Sequence, residues 1–98
     1  MTITKNQNGT DLTLTLAGRL DTMTSPELEA ELTRSLDGVE TLTLECGDLE
    51  YISSAGLRVL FSAHKIMAAR SGLKLRNINE IVREVFDVTG FSAIFNIV

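Results

Sequence analysis

Two short segments of this chain alternate between polar and apolar residues, and a helix-like segment separates them. In Asp11–Leu16 and in Thr41–Cys46, every second residue is leucine or cysteine. A period of two is typical of a β-strand with one buried face. Between these segments, Leu28, Leu32 and Leu36 recur at helical spacing. A strand, a helix and a second strand in this order predict a crossover connection between two parallel strands.

Further elements flank this unit. Ile3 and a turn at Asn8-Gly9 predict an earlier strand that pairs with the first alternating segment as a hairpin. The pair Ser25-Pro26 predicts a cap followed by the first helical residue, and Asp37-Gly38 ends that helix. Later, we predict a loop over Gly47–Ser53, a long helix over Ser54–Arg70, a short strand over Leu73–Arg76 and a helix from Asn79 to Gly90. The tail Phe91–Val98 is compatible with a helical turn or an edge strand.

This order of elements predicts the fold class. A chain of 98 residues suits one domain, residues 1–98, and 44% hydrophobic residues are enough to form a core. Strands that alternate with helices, after an opening hairpin, indicate an α/β protein. We therefore expect a mixed sheet of about four strands, with an antiparallel hairpin, parallel crossovers and helices packed on it.

Composition argues against several classes of function. The net charge is −4 and the nine basic residues are scattered, whereas nucleic-acid binding requires clustered positive charge. Cys46 is the only cysteine and His64 the only histidine, so neither an internal disulfide nor a Cys-His metal site is expected. No apolar run approaches the roughly 20 residues that span a bilayer, and the start lacks a signal peptide's apolar stretch. These features predict a cytoplasmic protein without membrane insertion.

The segment Asp48–Leu57 carries most of the functional information. It leaves a predicted strand and enters a predicted helix, a position where open α/β sheets place their sites. Small residues from Ser53 to Gly56 keep this corner open, and Gly56 would let another surface approach the backbone closely. Ser54 is expected to be the N-cap or the first helical residue. By itself, this pattern favours a purely structural capping role for Ser54.

Three motifs together carry a family resemblance. They are Gly18-Arg19-Leu20-Asp21, the segment Asp48–Leu57, and Phe86-Asp87-Val88-Thr89-Gly90-Phe91. Their order and spacing resemble the anti-sigma factor antagonists of bacteria, which are STAS-type domains, and the resemblance covers nearly the whole chain. It implies a STAS-like mixed sheet with helices mainly on one side.

The resemblance also implies a function. By position, Ser54 matches the serine that a partner kinase phosphorylates, and Asp21 matches an aspartate beside it. Ser53 matches a position that is often aspartate, and it is a second candidate hydroxyl. The residues expected to contact the partner are Asp21, Asp48, Ser53, Ala55, Gly56 and Val59.

In such a switch, the unphosphorylated domain binds an anti-sigma factor that is also a serine kinase, and a sigma factor is released. Phosphorylation ends the binding, and a serine phosphatase resets it. ATP and magnesium belong to the kinase, and this chain has no phosphate-binding loop of its own. The resemblance thus implies a regulatory protein without a cofactor, not an enzyme. The alternative is a STAS subunit of a larger assembly, such as a lipid-transport complex.

Other reactive or apolar residues have simpler interpretations. His64 lies on the apolar face of its helix and is expected to be structural. Cys46 is expected to be an inert buried thiol, and Met23 and Met67 to fill the core. Val59 is either simply buried or part of a partner surface beside Ser54.

Overall fold

The two alternating segments form the centre of a five-stranded sheet. The structure, a computed structural model, describes all 98 residues. The strands are β1 (Thr2–Asn8), β2 (Asp11–Leu20), β3 (Thr41–Ile52), β4 (Gly72–Arg76) and β5 (Asn96–Ile97). The helices are α1 (Ser25–Ser35), α2 (Ser54–Ala68) and α3 (Glu80–Thr89), and a short 3₁₀ helix follows at Phe91–Ala93.

The strands lie in chain order across the sheet, and only the opening pair is antiparallel. The β1–β2 hairpin closes through a two-residue turn in which Gly9 has a φ of +64°. The other three pairs are parallel, as the crossover helices require. The predicted α/β class and mixed sheet are confirmed. The fifth strand comes from the tail, which forms both a helical turn and an edge strand.

The strand register collects the leucines on one face. Leu14 of β2 lies beside Leu44 of β3, which lies beside Leu75 of β4, and all three side chains are fully buried. They belong to one core of 23 residues that also includes residues of all three helices. On the opposite face, Thr15 of β2 pairs with Glu45 of β3, which in turn pairs with Arg76 of β4. The apolar face therefore lies under the helices, and the polar face stays open.

The predicted loop after Cys46 is wrong, because β3 continues to Ile52. The reason is non-local. Strand β2 extends to Leu20 and offers its backbone as a partner, with register shifts near Ala17 and Arg19 that keep the two strands paired. The segment after Cys46 thus forms backbone hydrogen bonds that its local sequence does not predict.

Packing confirms most of the interpretations of single residues. Met67 and Cys46 are buried, and burial raises the pKa of the Cys46 thiol to about 12. His64 packs between the rings of Phe61 and Phe95, with centroids 6.1 and 5.6 Å away. The expectation for Met23 is wrong, since this side chain is 85% exposed.

None of the helices is long and apolar enough to cross a membrane. No group of three or more His, Cys, Asp or Glu side chains is arranged to hold a metal ion.

Candidate functional site

The candidate site lies where β2 and β3 end and α2 begins. Leu20 and Ile52 form the last pair of this parallel ladder. Directly beyond it, the Ser53 N–H donates to the Leu20 carbonyl at 2.9 Å, and the Leu57 N–H donates to the Ser53 carbonyl at 2.9 Å. The second bond starts α2. This arrangement brings Asp21, the residue after Leu20, to the same edge of the sheet as the two serines.

The two adjacent serines have different environments. Ser53 is the N-cap of α2, with extended backbone angles, and its Oγ is buried without a hydrogen-bond partner. Ser54 is the first helical residue and is exposed. Of the two candidate hydroxyls, only that of Ser54 is open to a second protein. The capping role expected from local pattern alone does not belong to Ser54, and the Ser53 side chain makes no capping bond either.

Gly56 packs against the interior of the protein, whereas we expected it to be approached by a partner. The residue is buried. A Cβ at this position would lie 2.7 Å from the Leu20 Cγ, 2.9 Å from the Ile52 Cγ1 and 2.9 Å from the Leu20 carbonyl oxygen. Real Cβ atoms essentially never come so close. The absence of a side chain therefore lets α2 pack tightly on the ends of β2 and β3.

Asp21 holds the turn between β2 and α1. Its Oδ1 accepts hydrogen bonds from the backbone N–H groups of Met23 (3.0 Å) and Thr24 (3.1 Å). The Thr24 hydroxyl also donates to this oxygen at 3.2 Å. Thr24 is the N-cap of α1, so this helix begins one residue earlier than the Ser25-Pro26 pair predicts. Hydrogen bonds from Thr24 and, to a smaller extent, from Met23 lower the pKa of Asp21. The positive charge of Arg19 lowers it further.

The lowered pKa predicts a dependence of stability on pH. Since the folded state favours the charged carboxylate, its contribution is complete above the ordinary pKa of 3.8 and disappears as the pH falls through the folded pKa. We expect Asp21→Asn to be less stable than the wild type at pH 7. The difference should shrink below about pH 4. Urea unfolding midpoints of both proteins at pH 7 and pH 3 measure this change. A difference that is equal at the two pH values would contradict the assignment.

Residues that sequence analysis missed surround this turn. The Arg19 guanidinium lies 4.3 Å from the centre of the Tyr51 ring, and its Nε lies 3.7 Å from an oxygen of Asp21. The exposed Met23 side chain stands in the same turn. Arg19 and Tyr51 are adjacent only because the register shifts between Gly18 and Arg19, where β3 has one extra residue, Glu50. The sequence carries no local signal for that pairing.

Two predicted contact residues do not gather around Ser54. Asp48 is exposed, but it lies four residues before the end of β3, which is about 13 Å along an extended strand. Val59 is buried with 7% exposure. It lies in the wall of a groove of about 440 Å³ between α1 and α2, where Arg58 is also exposed. The alternative in which Val59 is well buried is therefore the one that the structure favours.

Comparison with known proteins identifies the family. The model of the STAS domain matches residues 2–98. The chain belongs to the STAS family of anti-sigma factor antagonists. It is 42% identical over 82 residues to BtrV of Bordetella bronchiseptica, which is named as a candidate anti-sigma factor antagonist; the match covers 82% of this chain and 71% of BtrV. It is 32% identical over 92 residues to the anti-sigma-B factor antagonist of Bacillus subtilis, covering 93% and 84% of the two chains.

The fold of this STAS domain is also found in solved structures. The anti-sigma factor antagonist SpoIIAA in its unphosphorylated form has a TM-score of 0.84 at 19% identity, over 99% of this chain and 88% of SpoIIAA. The phosphorylated form of SpoIIAA, described as a Bacillus cell fate determinant, has a TM-score of 0.75 at 18% identity, over 99% and 91%. The similarity extends over the whole five-stranded sheet and its helices.

Proposed function

We propose that this STAS domain is a regulatory binding protein whose partner is an anti-sigma factor with serine kinase activity. Its unphosphorylated form binds that partner and thereby releases a sigma factor. The kinase then transfers the γ-phosphoryl group of ATP to the Ser54 Oγ, and ADP and the hydroxyl proton leave. The phosphorylated domain dissociates, and a serine phosphatase restores the hydroxyl by hydrolysis.

The observation that carries this proposal is the exposure of Ser54 at the same edge of the sheet as a hydrogen-bonded turn. Ser54 presents its side chain at the start of α2, whereas the neighbouring Ser53 Oγ is buried. The turn from Asp21 to Thr24 is held by side-chain hydrogen bonds and presents Met23 to solvent. An exposed apolar residue and an exposed hydroxyl on a pre-organised edge suit a docking surface.

Two comparisons support the same proposal. Two relatives that share 42% and 32% of their aligned residues with this chain are named for antagonism of anti-sigma factors. SpoIIAA, which shares the fold, exists in a phosphorylated form. A phosphoserine adds about −1.5 to −2 charges near neutral pH. At Ser54 this charge would be added at the edge of the sheet that already carries Asp21, so a partner that docks over this edge would meet new bulk and negative charge.

The position of the phosphate is the first test. We expect the cognate kinase and ATP to place one phosphate on Ser54, because the Ser53 Oγ is inaccessible to a kinase active site. Mass spectrometry of the peptides that contain Ser53 and Ser54 locates the phosphate after incubation with that kinase. Ser53→Ala should still be phosphorylated, and Ser54→Ala should not be. Phosphate mainly on Ser53, with Ser54→Ala fully modified, would show that the assignment is wrong.

A further inference from the structure

Arg58 lies one helical turn after Ser54, and its guanidinium makes no hydrogen bond or ion pair within the protein. Residues four apart on an α-helix are neighbours, with Cβ atoms about 5–6 Å apart. Both side chains are exposed. Because Cα–Cβ bonds in a helix tilt toward its N-terminus, the Arg58 Cβ points toward the turn of Ser54, while the rest of the side chain lines the groove between α1 and α2.

Four of the other five arginines form ion pairs or hydrogen bonds within the protein, and Arg83 is the exception. Ion pairs occupy Arg19, Arg34 and Arg76. The Arg70 guanidinium donates to the carbonyls of two core residues at 2.6 and 2.8 Å. Arg58 takes part in none of these contacts, and the first turn of α2 contains no acidic residue. Its guanidinium is therefore free to accept an anion.

We propose that Arg58 is a positioning residue that binds the phosphate of phosphorylated Ser54. This inference rests on the proposed function, since it concerns the modified state of the same site. A guanidinium can bind two phosphate oxygens at once, and an anion placed before a cation at a spacing of four is the favourable order along a helix. The contact fixes the phosphate at the start of α2 and draws Arg58 away from the groove between α1 and α2.

The test uses protein in which phosphoserine is incorporated at position 54 by genetic code expansion, so no kinase is needed. We expect the second pKa of the phosphate, followed by ³¹P NMR, to rise by about 0.2 to 0.7 units in Arg58→Gln, because an exposed ion pair contributes that order of stabilisation. In Arg58→Lys the phosphate pKa should lie between the wild-type and Arg58→Gln values, since lysine keeps the charge but not the planar pair of donors.

Lys65→Gln is the matched control. It removes the same charge from the same helix, but Lys65 lies eleven residues after Ser54, about 16 Å along the axis. A shift in Arg58→Gln with none in Lys65→Gln supports the contact. An unchanged phosphate pKa in Arg58→Gln, or an equal shift in both variants, would overturn it. Phosphate mapping with the kinase tests the proposed function separately, so the two failures are distinguishable.

A thermodynamic cycle gives a second measurement. The melting temperatures of unmodified and phosphorylated protein, each with Arg58 and with Arg58→Gln, isolate the energy shared by the two groups. Phosphorylation should raise the melting temperature by about 1 to 5 °C more with Arg58 than without it. Equal changes in the two backgrounds would contradict the contact.

Discussion

Phosphorylation of Ser54 is expected to weaken binding to the anti-sigma factor kinase by about 30- to 1,000-fold, which corresponds to about 2–4 kcal/mol. The phosphate adds bulk and negative charge at the exposed first residue of α2, at the edge of the sheet where Asp21 also lies. A partner docked there would lose a desolvated contact. The fold should not change, because the group enters solvent and the start of a helix favours an anion. Calorimetric titration of the kinase with both forms of the domain measures the difference.

Two variants define this switch. Ser54→Ala should bind the kinase equally well before and after incubation with ATP, because it has no acceptor oxygen. Ser54→Asp should bind with intermediate affinity, since one carboxylate carries less charge and bulk than a phosphate. Circular dichroism and the melting temperature are the controls for folding. Tight binding by the phosphorylated form, or weak binding that coincides with unfolding, would refute the proposed mechanism.

Gly56→Ala is expected to destabilise the protein by about 1–3 kcal/mol, although alanine is the better helix former. The new Cβ would meet the Leu20 side chain at 2.7 Å and the Leu20 carbonyl oxygen at 2.9 Å. A backbone atom in a paired strand cannot move away without breaking its ladder, so α2 must shift outward. For a domain of this size the melting temperature should fall by roughly 4–20 °C. Thermal and urea unfolding measure the change.

Gly47→Ala is the control for this prediction. At Gly47 the nearest atom to a new Cβ is the carboxylate oxygen of Glu45, at 3.2 Å, which is the far end of a flexible side chain. We expect its stability to stay within about 0.5 kcal/mol of the wild type. If Gly56→Ala is as stable as the wild type, the close packing of α2 on the strand ends is not what requires glycine. Since Ser53 and Ser54 begin the same helix, the destabilised variant should also bind the kinase more weakly.

Much of the fold could be predicted because its signals are local. The alternation of leucine with polar residues in Asp11–Leu16 and Thr41–Cys46 identified two strands and the face that each one buries. The Asn79 cap and Gly90 placed both ends of α3, and the structure shows the Asn79 side chain accepting from the Val82 N–H and Gly90 in the left-handed conformation. Each of these features depends on residues within one or two turns of chain, so periodicity and capping preferences are sufficient.

The environment of Ser54 was only partly predictable. The run of small residues, with the family motifs around it, marked the strand-to-helix corner, but both serines remained candidates. Which hydroxyl is open depends on the Ser53 N–H bond to Leu20, a residue 33 positions earlier. That bond fixes Ser53 as the cap and turns Ser54 outward. Local pattern carries no information about it.

By itself, the sequence determined the strands, the helices, the buried leucine face and the corner where the site lies, because these follow from short-range periodicity and backbone preferences. Tertiary structure alone decided that β3 extends to Ile52, that Gly56 packs inward and that Met23 is exposed. Met23 lies in the turn that follows β2, whereas for β3 and Gly56 the deciding partner is the end of β2, which lies more than 30 residues before Ile52 and Gly56 along the chain. Pairing and packing between such distant segments depend on register and on the space left between elements, and neither quantity is encoded in a local window.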